Sequence, residues 1–173
     1  MSTAAIILLL LNPAHAQPTD WNFKAVTEQS VGADNPVGYI YKQEVVGVAT
    51  RDNHTTNKRA SLSLACSVKD GSNATPKIIL QLEGLQGYGS PRINYTVDSR
   101  VTPAGNAWTM RQENDILYKD TSEAQELLQA MKQGRTVAFD WVGSDKTRYL
   151  TTFNLNSFRN NLSEFNTKCK SDI

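Results

Sequence analysis

The chain has 173 residues, 39% hydrophobic and 20% charged, with 18 Lys and Arg against 17 Asp and Glu. That balance suits one ordinary globular domain and excludes a disordered chain, which is poorer in apolar residues and further from neutrality. A net charge of +1 gives no global pull toward nucleic acid or an anionic membrane, and 10 Gly with 6 Pro are too few for a collagenous or low-complexity chain.

The first segment stands apart. Ala4 to Leu11 is an unbroken apolar run, followed by Asn12-Pro13 and then Ala14-His15-Ala16. An apolar stretch, a helix breaker and an A-x-A ending predict a signal peptide over 1–16, cleaved after Ala16. As a helix, Ala4 to Leu11 reaches only about 12 Å against roughly 30 Å of bilayer core, so it is too short to span. No Lys or Arg precedes the run; either the free amino terminus supplies the positive charge or the true start lies upstream. No Cys follows the cleavage point to take a lipid, and no later stretch is apolar enough for stable membrane insertion. The exported part, 17–173, contains no repeat, charge block or Pro-rich linker and reads as a single β-rich domain.

Trp21 to Val31 is expected to give a first strand, and Gly32-Ala33-Asp34-Asn35-Pro36 a turn. Val37 to Thr50, rich in Val, Tyr and Ile, reads as one long or two short strands, and the polar Arg51 to Arg59 as a loop. From Ala60 to Val68, Leu62, Leu64, Cys66 and Val68 alternate with Ser61, Ser63, Ala65 and Ser67. That period of two predicts a half-buried strand with the Cys66 sulfur pointing inward. Lys77 to Glu83 is a further strand, Gly84 to Pro91 a hairpin connection, and Arg92 to Asp98 another alternating strand with Ile93, Tyr95 and Val97 inward. Ala107–Gln112 and Ile116–Lys119 are expected to pair as a short hairpin.

A helix is predicted from a cap at Thr121 or Ser122 to Gln133, stopped by Gly134, with Leu127, Leu128 and Met131 on its apolar face. Strands over Arg135–Val142 and Arg148–Leu155 follow. The terminal helix begins near Asn156 or Ser157, and Leu155, Phe158, Leu162, Phe165 and Cys169 recur at spacings of three and four. The predicted fold is mainly β (α+β): an antiparallel β-sandwich or curled sheet with two helices.

Two cysteines, Cys66 and Cys169, both fall on predicted apolar faces. In an exported chain an even pair reads as one disulfide, tying the terminal helix to the Cys66 strand. The alternatives are free thiols, a metal pair or a Cys nucleophile; the last two need nearby His, and only His54 follows the leader.

Catalytic patterns are scarce. His54 lies in a polar segment, and no G-x-S-x-G elbow or zinc ligand set is present. The stretch Gly84-Leu85-Gln86-Gly87-Tyr88-Gly89 lacks the following helix that a phosphate loop needs. Asp98, Asp140 and Asp145 form a carboxylate site only if their strands adjoin, and Asp140 is expected to face solvent or pair with a cation. No metal or cofactor is expected. Leu85 and Tyr88 at a loop tip, the polar face Arg92, Asn94 and Asp98, and His54 are the candidate contacts for a protein partner. Sequons at Asn53, Asn73, Asn94 and Asn161 matter only in a eukaryotic secretory pathway.

One combination carries a resemblance. After the leader come Trp21, the strand Leu62-Ser63-Leu64-Ala65-Cys66 and the segment Ile93-Asn94-Tyr95-Thr96-Val97-Asp98. Then follow Trp108, the helix Leu127 to Gly134, Thr136-Val137-Ala138-Phe139, and Phe153-Asn154-Leu155 leading to a helix that ends at Cys169. This is similar to the VasI/TagO-like family of small exported proteins associated with bacterial type VI secretion. The resemblance implies a periplasmic accessory protein and no catalytic constellation. The expected function is therefore non-catalytic binding in a bacterial envelope or secretion machine. An inhibitor module against a lysozyme-like or other enzyme is the second reading, and a carboxylate-dependent hydrolase the third.

Overall fold

The computed structural model describes residues 20–28, 38–52, 54–68, 75–85, 93–101, 108–111, 116–120 and 124–173. The expected leader, the turns over 32–36 and 70–73, the caps Thr121 and Ser122, and the candidates Tyr88 and Arg92 lie outside them. The elements in chain order are β1 (Asn22–Glu28), β2 (Gly38–Arg51), β3 (His54–Val68), β4 (Lys77–Leu82), β5 (Asn94–Val97), β6 (Arg100–Val101), β7 (Thr109–Arg111) and β8 (Ile116–Asp120). Helix α1 (Gln125–Gln133), β9 (Thr136–Val142), β10 (Arg148–Asn154) and helix α2 (Phe158–Cys169) complete the chain.

All strands join one antiparallel sheet, in the order β6-β5-β9-β10-β2-β3-β4-β8-β7, with β1 added along the first half of β2. Of the two expected architectures the molecule is the curled sheet, a half-barrel. The reason lies in β2 and β3, of 14 and 15 residues. At ~3.3 Å per residue each runs about 45–50 Å, too long to remain a flat ribbon over one core given the right-handed twist of strands. Their register shifts between Val48 and Thr50, where an irregularity sharpens the bend. Below it β2 pairs with β1, and at Thr50 it meets Leu150 of β10. Gly47 lets β10 close in, since a Cβ there would lie 3.2 Å from the Phe153 ring.

The concave face holds the core. Val45, Leu62, Leu64, Ile78, Leu80, Leu82, Val137, Phe139, Trp141 and Phe153 are all buried, each on the inward phase of its strand. Phe139 is the hub of the aromatics, with ring centroids 6.1 Å from both Trp108 and Phe153 and 6.2 Å from Tyr95. The helices add Leu127, Leu128 and Met131 from α1, and Phe158, Leu162, Phe165 and Cys169 from α2. Burying such a side chain contributes about 1.5–3 kcal/mol, so this stripe is what holds α2 to the sheet. Cys169 is disulfide-bonded to Cys66, with Cα atoms 6.0 Å apart at a sequence separation of 103. Trp21 fastens the start of β1 beneath α2: its indole N–H donates to Asn154 O at 2.8 Å, and its ring lies 4.7 Å from that of Phe158.

Three expectations are corrected. The segment Arg51 to Arg59 is mostly strand, since His54 opens β3 and pairs with Arg51. It carries no apolar alternation because it projects to the rim of the core; Thr56 Oγ1 instead donates to Ala49 O at 2.8 Å. Gly84 to Pro91 is not a hairpin connection, because β5 pairs with β9 and not with β4. Gly84, at φ +76°, ends β4, and Leu85 bridges to Gly143 across the sheet. Helix α1 begins at Gln125 with Ala124 in the cap position and no side-chain cap. Conversely, β7 and β8 pair as the expected hairpin, and Gly134 does follow the last turn of α1.

Candidate functional site

The candidates named from sequence do not form one site. Leu85 is buried in the core cluster, 7% exposed, so it is not a surface contact. His54 is exposed at the start of β3, and Asn94 is exposed on β5 opposite Asp140. Asp98 is not on the polar face of a strand; it is the first residue of the two-residue turn between β5 and β6, with φ of 48° and 63° at Asp98 and Ser99. This left-handed pair is the geometry whose twist suits a tight hairpin.

The Asp98 carboxylate is committed to the fold. Its Oδ1 accepts the backbone N–H groups of Arg135 at 2.9 Å and Thr136 at 3.0 Å. These two donors, Arg135 first, hold Asp98 below its ordinary value of 3.8. Asp140 lies four residues along β9 from Thr136, about 13 Å at ~3.3 Å per residue. It faces outward and takes a bidentate ion pair from Arg148, whose Nε donates at 2.8 and 2.9 Å and whose Nη2 also bonds Oδ2. That hydrogen bonding raises the Arg148 pKa. Asp145 sits in the β9–β10 turn and accepts the Tyr149 hydroxyl at 2.5 Å and Thr147 N–H at 3.0 Å. The three carboxylates thus have separate partners, Asp98 at the start of β9, Asp140 on it and Asp145 in the turn beyond it, rather than facing one another across a sugar-sized gap.

Tyr149 anchors a group the sequence did not reveal. It stacks on Trp141 with centroids 5.6 Å apart, and Lys58 Nζ lies 5.2 Å from its ring. The hydrogen bond from Tyr149, then Thr147 N–H and the Lys58 charge, lower the Asp145 pKa. The bond to Asp145, then burial, raise that of Tyr149. Ser144 N–H donates to Gly84 O at 2.8 Å beside it. This end of the half-barrel is a polar clamp joining β3, the end of β4 and the β9–β10 turn. At the opposite flank Lys119 is buried, with Nζ 5.8 Å from the Trp108 ring. Such a cation–π contact contributes about 0.5–2 kcal/mol where water is excluded.

The outer face carries a groove. On the face of β3 turned away from Leu62 and Leu64, Ser61 is short and half-buried, while the positions paired with it are Val46 on β2 and Gln81 on β4. Short side chains between longer ones make a trough, and a cleft of about 380 Å³ opens there, lined by Glu44, Val46, Arg59, Ala60, Ser61, Gln81 and Glu83. Glu83 Oε2 accepts the Arg59 backbone N–H at 2.8 Å and so holds that wall against β3. Next along the same strand face, Ser63 is 1% exposed, and its Oγ has no hydrogen-bond partner among the described residues. Burying an unpaired hydroxyl costs about 1–3 kcal/mol. A second cleft, of about 410 Å³, lies between the β5–β6 turn and the end of α1, lined by Val97, Asp98, Arg100, Ala130, Gln133 and Gly134.

Among the described residues no group of three or more His, Cys, Asp and Glu side chains is placed to hold a metal ion. Nor is any helix there long and apolar enough to cross a membrane. Comparison with protein-family models, curated proteins and solved structures finds no match to this chain.

Proposed function

We propose that the protein is exported and works by binding, as an accessory component of a bacterial envelope or secretion machine. The observation that supports this reading is a disulfide-tied half-barrel whose outer face presents a groove. The carboxylates Asp98, Asp140 and Asp145 are engaged in turns and an ion pair, which leaves these three little freedom for acid–base work. The buried Cys66–Cys169 bond suits an oxidising compartment and accords with the leader-like 1–16. A preformed β surface loses little conformational entropy on binding, which favours recognition over induced folding.

The test is a pull-down from a bacterial envelope extract, with the disulfide-bonded protein as bait and its reduced, alkylated form as control. Saturable retention of a defined envelope protein by the oxidised bait alone supports the reading. Residence of the chain in the cytosol with 1–16 intact overturns export. Turnover of a glycan or peptide that is lost in an Asp140→Asn variant overturns the non-catalytic assignment.

A further inference from the structure

We propose that the joint between Gly84-Leu85 and Gly143-Ser144 is a clasp that shuts one end of the curled sheet and opens as a unit, ahead of the rest of the fold, to uncover Trp141. This goes beyond the binding reading above and does not depend on it. Topology is the first argument. In the sheet β4 and β9 are separated by β3, β2 and β10, yet Leu85, shortly after β4, bridges to Gly143, just past β9. At that end the run β9-β10-β2-β3-β4 therefore returns on itself. Among the described residues the closing seam is one isolated bridge, with Ser144 N–H donating to Gly84 O at 2.8 Å. By contrast β9 and β10 are joined by a ladder along all of Thr136 to Val142. A joint of so few bonds, with Ser144 and Asp145 exposed, belongs to the parts of a protein that open locally.

Side-chain placement is the second argument. Gly84 has φ of +76°, and a Cβ on it would lie 2.5 Å from Lys58 Nζ, so the Lys58 ammonium takes the place of a side chain there. A Cβ on Gly143 would lie 2.7 Å from the Tyr149 ring and 2.9 Å from Asp145 Oδ1. Lys58 Nζ also lies 5.2 Å from the centre of the Tyr149 ring, and the Tyr149 hydroxyl donates to Asp145 at 2.5 Å. One ammonium, one ring and one carboxylate thus tie β3 to the β9–β10 turn, and they part together when that turn swings away from Gly84. Trp141 is the third argument. It stands two residues before Gly143, stacks on Tyr149 with centroids 5.6 Å apart, and is 2% exposed. Its indole N–H has no acceptor among the described residues. The ring that covers it is the one the clasp holds, so opening presents an aromatic face and an N–H donor at that end of the core.

The experiment is hydrogen exchange of the ¹⁵N-labelled disulfide-bonded protein, followed by NMR at several urea concentrations below the unfolding transition. The Ser144 amide and the Trp141 indole N–H should exchange with little dependence on urea. Relative to their intrinsic rates they should be at least about tenfold faster than the amides of the β3–β4 ladder. Lys58→Met should speed both by about two- to fivefold, the scale of an exposed cation–π contact. It should leave unchanged the Trp21 indole, which is bonded to Asn154 O at the far end of β10. Tyr149→Phe, which keeps the ring and loses the bond to Asp145, is the second variant and should act in the same direction. If Ser144 and Trp141 exchange with the urea dependence of the ladder amides, they wait for global unfolding and the clasp is overturned. Parental rates for both groups in both variants overturn it as well. A Ser144 amide that speeds up while the Trp141 indole does not is fraying of the turn alone, and overturns the uncovering of Trp141.

Discussion

Cys66, near the end of β3, is bonded to Cys169, the last residue of α2, and both residues are buried. At a sequence separation of 103, the bond removes much of the freedom of the unfolded chain, an effect of about 4.7 kcal/mol in the chain-entropy model and typically 2–4 kcal/mol when measured. The double variant Cys66→Ala, Cys169→Ala should therefore lose about 2–4 kcal/mol in urea unfolding. Hydrogen exchange should rise first in α2, because the helix keeps only its apolar stripe. Mass spectrometry of the unreduced protein should find one Cys66–Cys169 crosslink and no alkylatable thiol. Unchanged urea stability would refute the account of α2 as a covalently fastened element.

Gly134 closes α1 for lack of room rather than for backbone freedom. Its φ of −82° suits any residue, but a Cβ there would fall on Val97 Cγ1 and lie 3.1 Å from Ala130 O. Both neighbours are held in place, Val97 by its pairing with Val137 and Ala130 by the Gly134 N–H bond to its carbonyl. Gly134→Ala is expected to destabilise by about 1–3 kcal/mol through overpacking. Guanidinium melts check the magnitude, and a companion Val97→Ala should recover part of the loss by making space.

Stability against pH should have an acid limb and an alkaline limb set by two turns. Asp98 and Asp145 are both held below 3.8 in the folded state, so the unfolded chain binds more protons in the window just below that value. Their contribution is present above pH 3.8 and is lost as pH falls through the folded values. Tyr149 is raised above 10.0, so the folded chain keeps its proton longer, and that contribution is present below pH 10.0 and lost as pH rises further. Thermal melts across pH should give a plateau between the limbs. Tyr149→Phe should lower the plateau and flatten the alkaline limb, and Asp98→Asn should flatten the acid one.

The parts legible in the sequence were those set by local periodicity. Leu62, Leu64 and Cys66 read as one inward face, and Phe158, Leu162, Phe165 and Cys169 as one helical stripe, because each pattern follows from the geometry of its own element. Strand order was not legible: whether β5 joins β4 or β9 depends on long-range pairing, which left Gly84 to Pro91 misread. The Asp98-Ser99 turn contains no Gly, so its left-handed pair gave no signal. The groove was half visible. The Ser61, Ser63, Ser67 alternation marked a polar face, but its depth comes from Val46 and Gln81 on two other strands. The Lys58, Tyr149, Asp145 clamp draws on distant segments and left no motif at all.

Leu85 separates the surface reading of its loop from the structural one. As an exposed contact it would tolerate truncation with no change in melting temperature. It is instead 7% exposed, joined to the core cluster and bridged to Gly143, directly after the Gly84 position whose φ of +76° ends β4. Leu85→Ala leaves a hole that its neighbours fill only in part, and about 2–5 kcal/mol should be lost, toward the lower end because the residue sits at the edge of the core. Gly84→Ala should act in the same direction for a different reason: a Cβ there meets the Lys58 Nζ at 2.5 Å and forces a left-handed backbone on a residue that resists it. Chemical denaturation of both variants should find stability reduced. A Leu85→Ala protein as stable as the parent would return this residue to the surface and to the list of partner contacts.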